Sequence, residues 1–468
     1  MDYQKISDKI LRRIEAVAGK QQVLTEPEDL EAYSHDETPG ISFLPEVVVK
    51  VKEKQQIAEL LDLCNRERIP LTPRGGGTGL TGGAIPLKGG LVISFERMAE
   101  IKDIDPQNSM VVVEPGVITG NLQRELARYD LFYPVNPASL DSCTIGGNVA
   151  ESSSGANAVK YGGTRDYVCG LEAILPGGGK IKAGGKLVKN VTDHRFIQVL
   201  LGSEGILAVF TEITLRVIPL PAVKIDLIIP LKKILHIQNI VTKIWEKKIL
   251  PTSIEYIDKT THQITKGYVE HPPSFPQATC YLLVGLDGKE ENEVMQDAEK
   301  IGNLCMEEGV EDILIAQERS EQEKLWKFRQ SIRDALLSIS PLMIEEDIVV
   351  PRSRITEFLE YVHNLCKERE INAGIFGHLG DGNVHINFLN QDFEEKVRWE
   401  AKIEKVLQKL FKRAIFMGGK ISGEHGIGLV KKAYLPLVLS QQEIDIMKKL
   451  KLTFDPKNIL NPGKIFDL

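Results

Sequence analysis

The sequence is poor in cysteine, and what it has is scattered. Six cysteines stand at positions 64, 143, 169, 280, 305 and 366, and no two form CxxC. The usual iron–sulfur and redox-pair spacings are therefore missing. Free thiols point to a cytoplasmic protein, and in that compartment the sequon Asn190-Val191-Thr192 carries little meaning. No run approaches the roughly 18 to 20 apolar residues of a membrane span. The opening residues Met1-Asp2-Tyr3-Gln4-Lys5 hold no apolar signal-peptide core. An excess of positive charge is lacking too. Lysine and arginine number 58 against 65 acidic residues, a net charge of −7, which argues against nucleic acid as the main partner. Internal repeats and low-complexity segments are absent.

What remains is an ordinary globular composition. A chain of 468 residues, 42% hydrophobic and 26% charged, has room for two or three domains with a sizeable core.

Glycine is where the sequence is rich. In Pro73-Arg74-Gly75-Gly76-Gly77-Thr78-Gly79-Leu80-Thr81-Gly82-Gly83, six of eleven residues are glycine. A backbone without Cβ atoms folds tightly and brings its N–H groups to an anion. This suits a phosphate or pyrophosphate, and we read it as the cradle of a flavin dinucleotide. Gly77 to Gly82 also match GxGxxG, but that fingerprint requires a strand before the loop and a helix opening within it. Here a helical run from Glu53 to Arg68 precedes, with only Ile69 to Thr72 between. Ala84-Ile85-Pro86 and Gly89-Gly90 follow, and these cannot open a helix. A purely structural glycine loop is the bland alternative.

Around the loop the periodicity alternates between strand and helix. Helices are expected over residues 6–20, over Glu53 to Arg68, and over Thr119 to Tyr129 with Thr119 as N-cap. Strands are expected at 45–51, 91–95, 110–113, 171–175, 180–182 and 206–217, with Pro176 to Gly179 as a hairpin turn. A second glycine- and hydroxyl-rich stretch runs from Pro137 to Arg165. It offers hydroxyls, amides and flexible backbone over almost thirty irregular residues, which fits a long polar ligand better than a linker. Pro219 and Pro221 mark a boundary. Beyond it come helical runs at 231–247, 290–308, 321–338, 354–369 and 392–417, with strands such as 279–286 between them. This reads as a second, α+β domain.

Two later stretches carry chemistry. Ala373 to Phe388 reads as strand, Gly380-Asp381-Gly382 turn, strand, with His378 and His385 seven residues apart. On one helix those histidines would sit about 10 Å apart; folded back at the turn, they converge. Gly418 to Gly428 places Glu424 and His425 in another glycine-rich loop. His378, His385 and Glu424 form a His₂-carboxylate set suited to Zn²⁺, Fe²⁺ or Mn²⁺ with an open position. His425 is left as a base. Taken singly, each of these histidines also reads as a hydrogen-bonded structural residue.

These motifs together carry a resemblance. PRGGGTGLTGG at 73–83, PAS…TIGGNVAESSSGANAVKYG at 137–162, GSEGILAVFTEITLR at 202–216, GHLGDGNVH at 377–385, GEHGIG at 423–428 and FDPKNILNPGKIF at 454–466 occur in order over nearly the whole chain. The chain resembles the glycolate oxidase/D-lactate dehydrogenase group of the vanillyl-alcohol-oxidase-type (PCMH-type) flavoproteins. The fold so implied is α+β: a PCMH-type FAD-binding domain of two subdomains over 1–218, an α+β cap domain over 219–417, and a C-terminal segment, 418–468, returning to the flavin. The resemblance implies FAD on Arg74, Gly75, Gly76, Gly77, Thr78, Gly79 and Leu80. Further contacts fall to Pro137, Ser139, Thr144, Gly146, Gly147, Asn148, Ser153, Gly155, Tyr161 and Gly162. Glu204, Gly205 and Ile206 would lie on the adenine side, and Asn461 near the ring. Thr78 stands where some relatives carry a histidine that bonds the flavin, so non-covalent FAD is expected.

The implied reaction is oxidation of a small D-2-hydroxy acid, D-lactate before glycolate or D-2-hydroxyglutarate. Arg329 would pair with the substrate carboxylate, the metal would hold the 2-hydroxyl, and His425 would take its proton as hydride leaves for flavin N5. Asn383 would steady the substrate or the flavin edge. Two departures stand out. Asp193-His194-Arg195-Phe196 replaces the relatives' Gly-Tyr-Asp-Leu. Glu345-Glu346 stands before Asp347 to Pro351, where many 2-hydroxyglutarate-type relatives have a lysine; this favours a monocarboxylate. Electrons would pass to a protein partner, electron-transfer flavoprotein first or an iron–sulfur subunit. A non-catalytic flavin relay subunit and a flavin-free metal-dependent binding or hydrolytic protein are the readings of other classes.

Overall fold

A computed structural model describes residues 2–270, 272–273, 277–392 and 394–468. The chain divides into two compact units. One comprises Met1–Ser154, Gly163–Leu220 and Glu424–Leu468; the other comprises Gly155–Gly162 and Pro221–Gly423.

The first unit holds two main sheets. Its four-stranded sheet runs in the order Val23–Leu24, Val47–Lys50, Leu91–Ser94, Leu71–Arg74. The last three strands are parallel, so crossovers must link them. Helix Lys54–Glu67 supplies one. It buries Ile57, Leu60, Leu61 and Leu63 and stops at Arg68, which is left-handed with φ 56°. Each such aliphatic side chain contributes about 1.5–3 kcal/mol on burial. The C-terminal tail joins the sheet edge. The Leu71 N–H donates to the Ile459 carbonyl at 2.8 Å, and the Asn461 N–H donates to the Leu71 carbonyl at 2.7 Å. The second sheet is five-stranded and antiparallel, ordered Ile101–Asp105, Met110–Val113, Val209–Arg216, Val168–Ile174, Lys180–Gly184.

Three local expectations change here. Strand Leu71–Arg74 leads directly into the glycine loop, so the strand half of the dinucleotide fingerprint is present. The helix half is not: residues 75–90 contain no helix. Thr119 is the first residue of helix Thr119–Ala127 rather than its cap, which is Ile118. Its hydroxyl instead accepts from Asn148 Nδ2 at 2.7 Å, a tertiary bond that outweighs the local cap. The stretch 137–165 is not irregular throughout. Thr144 caps helix Ile145–Glu151 by accepting from the Gly147 N–H, and Ala158–Tyr161 forms a further turn of helix.

The second unit is one antiparallel seven-stranded sheet with helices. The order is Leu314–Ala316, Val223–Leu231, Cys280–Gly288, Ser253–Asp258, Asn372–His378, Asn383–Leu389, Ile344–Val349. Helices Leu235–Glu246, Glu291–Glu307, Ile355–Glu368 and Lys396–Phe416 supply its apolar layer. The helical run expected at 321–338 breaks at Ser331 into Arg319–Gln330 and Ile332–Ile339. These two helices bring Phe328, Ile332 and Leu336 against Ile257 and Phe376 of the sheet. No helix among the described residues is long and apolar enough to cross a membrane.

Candidate functional site

In the first unit the two glycine stretches touch backbone to backbone. A Cβ on Gly75 would lie 2.4 Å from Thr144 Oγ1, and one on Gly76 would lie 2.3 Å from the Ser142 carbonyl. The loop from Gly75 to Leu80 stays accessible. None of its main-chain N–H groups donates a hydrogen bond among the described residues. Such a row of unspent donors fits an anionic ligand. Arg74 is committed elsewhere: its guanidinium donates to the His35 carbonyl at 2.6 Å and the Ala32 carbonyl at 3.1 Å. Its side chain therefore braces the chain behind the loop.

Asn461 closes this region. It adopts φ 44°, and its Nδ2 donates to the Gly83 and Glu204 carbonyls at 2.9 Å each. Its buried Oδ1 has no partner among the described residues, so an acceptor remains for a ligand. Glu204 accepts from the Ile427 and Gly428 N–H groups at 2.7 Å each. Burial raises its carboxyl above the usual range, although those two donors oppose the shift. Lys464 donates to the carbonyls of Gly82 and Ile85; burial pulls its ammonium down to about 8. Gly205 is left-handed at φ 66°, and the Ile206 carbonyl accepts from Lys451 at 2.8 Å. Ser153 accepts at its carbonyl from Thr164 Oγ1. The Ser139 carbonyl receives the Ser142 and Cys143 N–H groups. Gly146 packs on Pro115, where a Cβ would come within 2.6 Å. Pro137, beside this turn, is partly exposed. Gly155, Tyr161 and Gly162 belong to the second unit, where the Tyr161 hydroxyl donates to Asp287 at 2.9 Å.

The second unit's sheet carries a polar face. Register sets it: His378 stands opposite Glu255, Phe376 opposite His385, and Asp347 opposite His385 on the other side. The hairpin turns at Gly382, whose φ is +94° and where a Cβ would strike the Val350 carbonyl at 2.1 Å. This brings the His378 and His385 rings to 5.2 Å between centroids, edge to face at 87°. Behind them is Glu255, fully buried. One of its oxygens holds His378 Nδ1 at 2.7 Å, and the other accepts from Arg329 Nε and Nη2, each at 2.7 Å. Burial would raise the Glu255 carboxyl, but His378 and Arg329 hold it below its usual range.

Arg329 thus has a partner that the sequence did not disclose, and its fork is shared rather than wholly available to a substrate. Asn383 differs too. Its Nδ2 is spent on Asp347 Oδ1 at 2.5 Å and the Ile348 carbonyl at 3.1 Å, so only its buried Oδ1 stays without a partner among the described residues. Asp347 also accepts from Ser422 Oγ and the Gly423 N–H, fixing the chain immediately before Glu424. In the first unit, Glu424 accepts from Ser154 Oγ at 3.0 Å, and the His425 carbonyl accepts from Thr81 Oγ1 at 3.1 Å. Glu255 and Asp347 were missed in the sequence. The one signal for Glu255 was a carboxylate set between the apolar Ile254, Tyr256 and Ile257 in strand Ser253–Asp258.

Two family models match the chain. Residues 45–184 match the model of an FAD binding domain, and residues 220–465 match that of the C-terminal domain of FAD linked oxidases. The chain is 39% identical to glycolate oxidase subunit GlcD of Bacillus subtilis over 93% of this chain and 92% of that protein. It is 35% identical to a D-lactate dehydrogenase of Anaerostipes hadrus over 99% and 98% of the two chains. In fold it is similar to p-cresol methylhydroxylase, with a TM-score of 0.79 over 98% of this chain and 97% of that one, at 17% identity. The α+β, PCMH-type architecture is thereby shown.

Proposed function

The chain belongs to the FAD-linked oxidase family, and from that premise we propose that it oxidises a small D-2-hydroxy acid, D-lactate foremost, to the 2-oxo acid. The observation that carries this reading is the histidine pair at 5.2 Å, backed by a carboxylate shared with an arginine. That arrangement matches a site for an alkoxide-forming hydroxyl beside a substrate carboxylate.

When bound, FAD supplies the two-electron acceptor, and a divalent metal (zinc, iron or manganese) on His378, His385 and Glu424 supplies a Lewis acid. The residues present fit both groups. The unspent N–H donors of Gly75 to Leu80, the Thr144–Asn148 segment and the unpartnered Asn461 Oδ1 suit non-covalent FAD. Two imidazoles and a carboxylate suit the metal. Glu255 accepts a hydrogen bond from His378 Nδ1–H, leaving Nε2 as the ligand atom. Arg329, anchored through Nε and Nη2, presents its Nη1 edge to the substrate's C1 carboxylate. His425 takes the hydroxyl proton. A protein partner, an electron-transfer flavoprotein or an iron–sulfur subunit, would take up the electrons, in the cytoplasm.

The test is anaerobic flavin bleaching with D-lactate, L-lactate, glycolate and D-2-hydroxyglutarate, before and after chelation and metal add-back. Metal-dependent bleaching by D-lactate is expected. No bleaching by any 2-hydroxy acid, with FAD and metal restored, would leave the electron-relay subunit as the reading.

A further inference from the structure

Across four adjacent strands of the second unit the polar face reads Glu255, His378, His385, Glu345. An arginine closes each end. Arg329 closes the first through Glu255. Arg333, four residues on, closes the second: its Nε donates to Glu345 Oε2 at 2.9 Å, and the Glu345 side chain is 7% exposed. Glu345 lies opposite Asn387, and its neighbour but one, Asp347, lies opposite His385. A Glu345 carboxylate oxygen comes within 4.8 Å of a His385 ring nitrogen.

Resting on the 2-hydroxy acid reading of this site, we propose that Glu345, clamped by Arg333, sets the substrate class: it excludes 2-hydroxy acids bearing a second carboxylate and admits those with a small uncharged substituent. A substrate with C1 at the Arg329 end and its hydroxyl at the histidines extends its C2 substituent along the same line, toward Glu345. A second carboxylate there meets a like charge. Arg333, the cation that closes this end, is already paired with Glu345. A desolvated carboxylate left without a counter-ion is strongly disfavoured. A methyl group or a hydrogen meets no such obstacle.

Steady-state oxidation by the FAD-loaded, metal-replete enzyme with a dye acceptor tests this on D-lactate, D-malate and D-2-hydroxyglutarate. In the wild type, kcat/KM for D-lactate should exceed that for either dicarboxylate by more than about 100-fold. Glu345→Gln removes the charge and releases Arg333. It should raise the dicarboxylate-to-lactate ratio at least about tenfold, mainly through KM, a change of about 1.4 kcal/mol. Adding Arg333→Met should erase that gain. An equal loss on all three substrates would mean a merely structural Glu345 and overturn the proposal. Product inhibition of the wild type covers a variant that does not fold: pyruvate should compete more tightly than 2-oxoglutarate, and the reverse order overturns the proposal. Preference for a dicarboxylate sinks this inference alone. Oxidation of no 2-hydroxy acid sinks the functional reading beneath it.

Discussion

Glu255 and His378 meet across paired strands at 2.7 Å, Oε1 to Nδ1, and this contact orients the ring before any ligand arrives. The carboxylate is fully buried and also holds Arg329. Glu255→Gln should keep the shape but lose the charge. Metal affinity is expected to fall about 10–100-fold, measured by chelator competition on the holoenzyme. Glu255→Ala should cost about 3–5 kcal/mol of stability, because it strands a buried guanidinium; denaturant melts would show it. Unchanged metal retention in Glu255→Gln would remove Glu255 from the site.

Gly76 cannot carry a side chain. Its Cβ would fall 2.3 Å from the main-chain carbonyl of Ser142, which has no rotamer to yield. Gly76→Ala should therefore displace one glycine stretch from the other and yield protein with little bound flavin. The flavin absorbance of purified protein, set against its circular dichroism, distinguishes lost binding from lost folding.

The tail is pinned by a buried ion pair. Lys451 Nζ donates to Asp455 Oδ2 at 2.5 Å and to the Ile206 and Leu460 carbonyls at 2.8 Å each. Asp455 in turn accepts from the Ile459 and Leu460 N–H groups. Asp455→Ala leaves an unpaired buried ammonium and should cost about 3–5 kcal/mol. Limited proteolysis should then cut near 455–468 sooner than elsewhere in the chain.

Asp258 gives a pH signature. Burial pushes its carboxyl up to about 6, against the opposing bonds from Thr261. The folded state therefore holds a proton that the unfolded state has released between about pH 4 and 6. The unfolded state binds fewer protons there, so stability falls as pH rises through this window. Asp258→Asn lacks the ionisation and can still cap helix Lys259–Lys266. Its stability relative to wild type should improve by roughly 2–3 kcal/mol from pH 4 to 7, read from urea melts at each pH. A flat difference would refute the buried-acid account.

Much of the chemistry was legible because it is local. Glycine runs announce tight backbone at 73–83, Gly380-Asp381-Gly382 announces the turn that folds His378 toward His385, and apolar spacing announces helices such as Lys54–Glu67. Each of these signals acts within a few residues. The strand Leu71–Arg74 was overlooked for the opposite reason. It has only four residues, includes a proline, and is held by the parallel neighbour Leu91–Ser94 and by the tail at Leu460.

The amino-acid sequence by itself determined which residues could bind, ligate or transfer protons, since those capacities belong to side-chain types and short turns. Only the tertiary structure decided their partners. Arg329 and Glu255 are 74 residues apart, His378 and Glu255 are 123 apart, and Glu204 and Ile427 are 223 apart. Strand register chooses such pairs. A shift of one residue would turn Glu255 and both histidines to the opposite face of the sheet, and register is set by the packing of the whole unit rather than by any stretch of sequence within it.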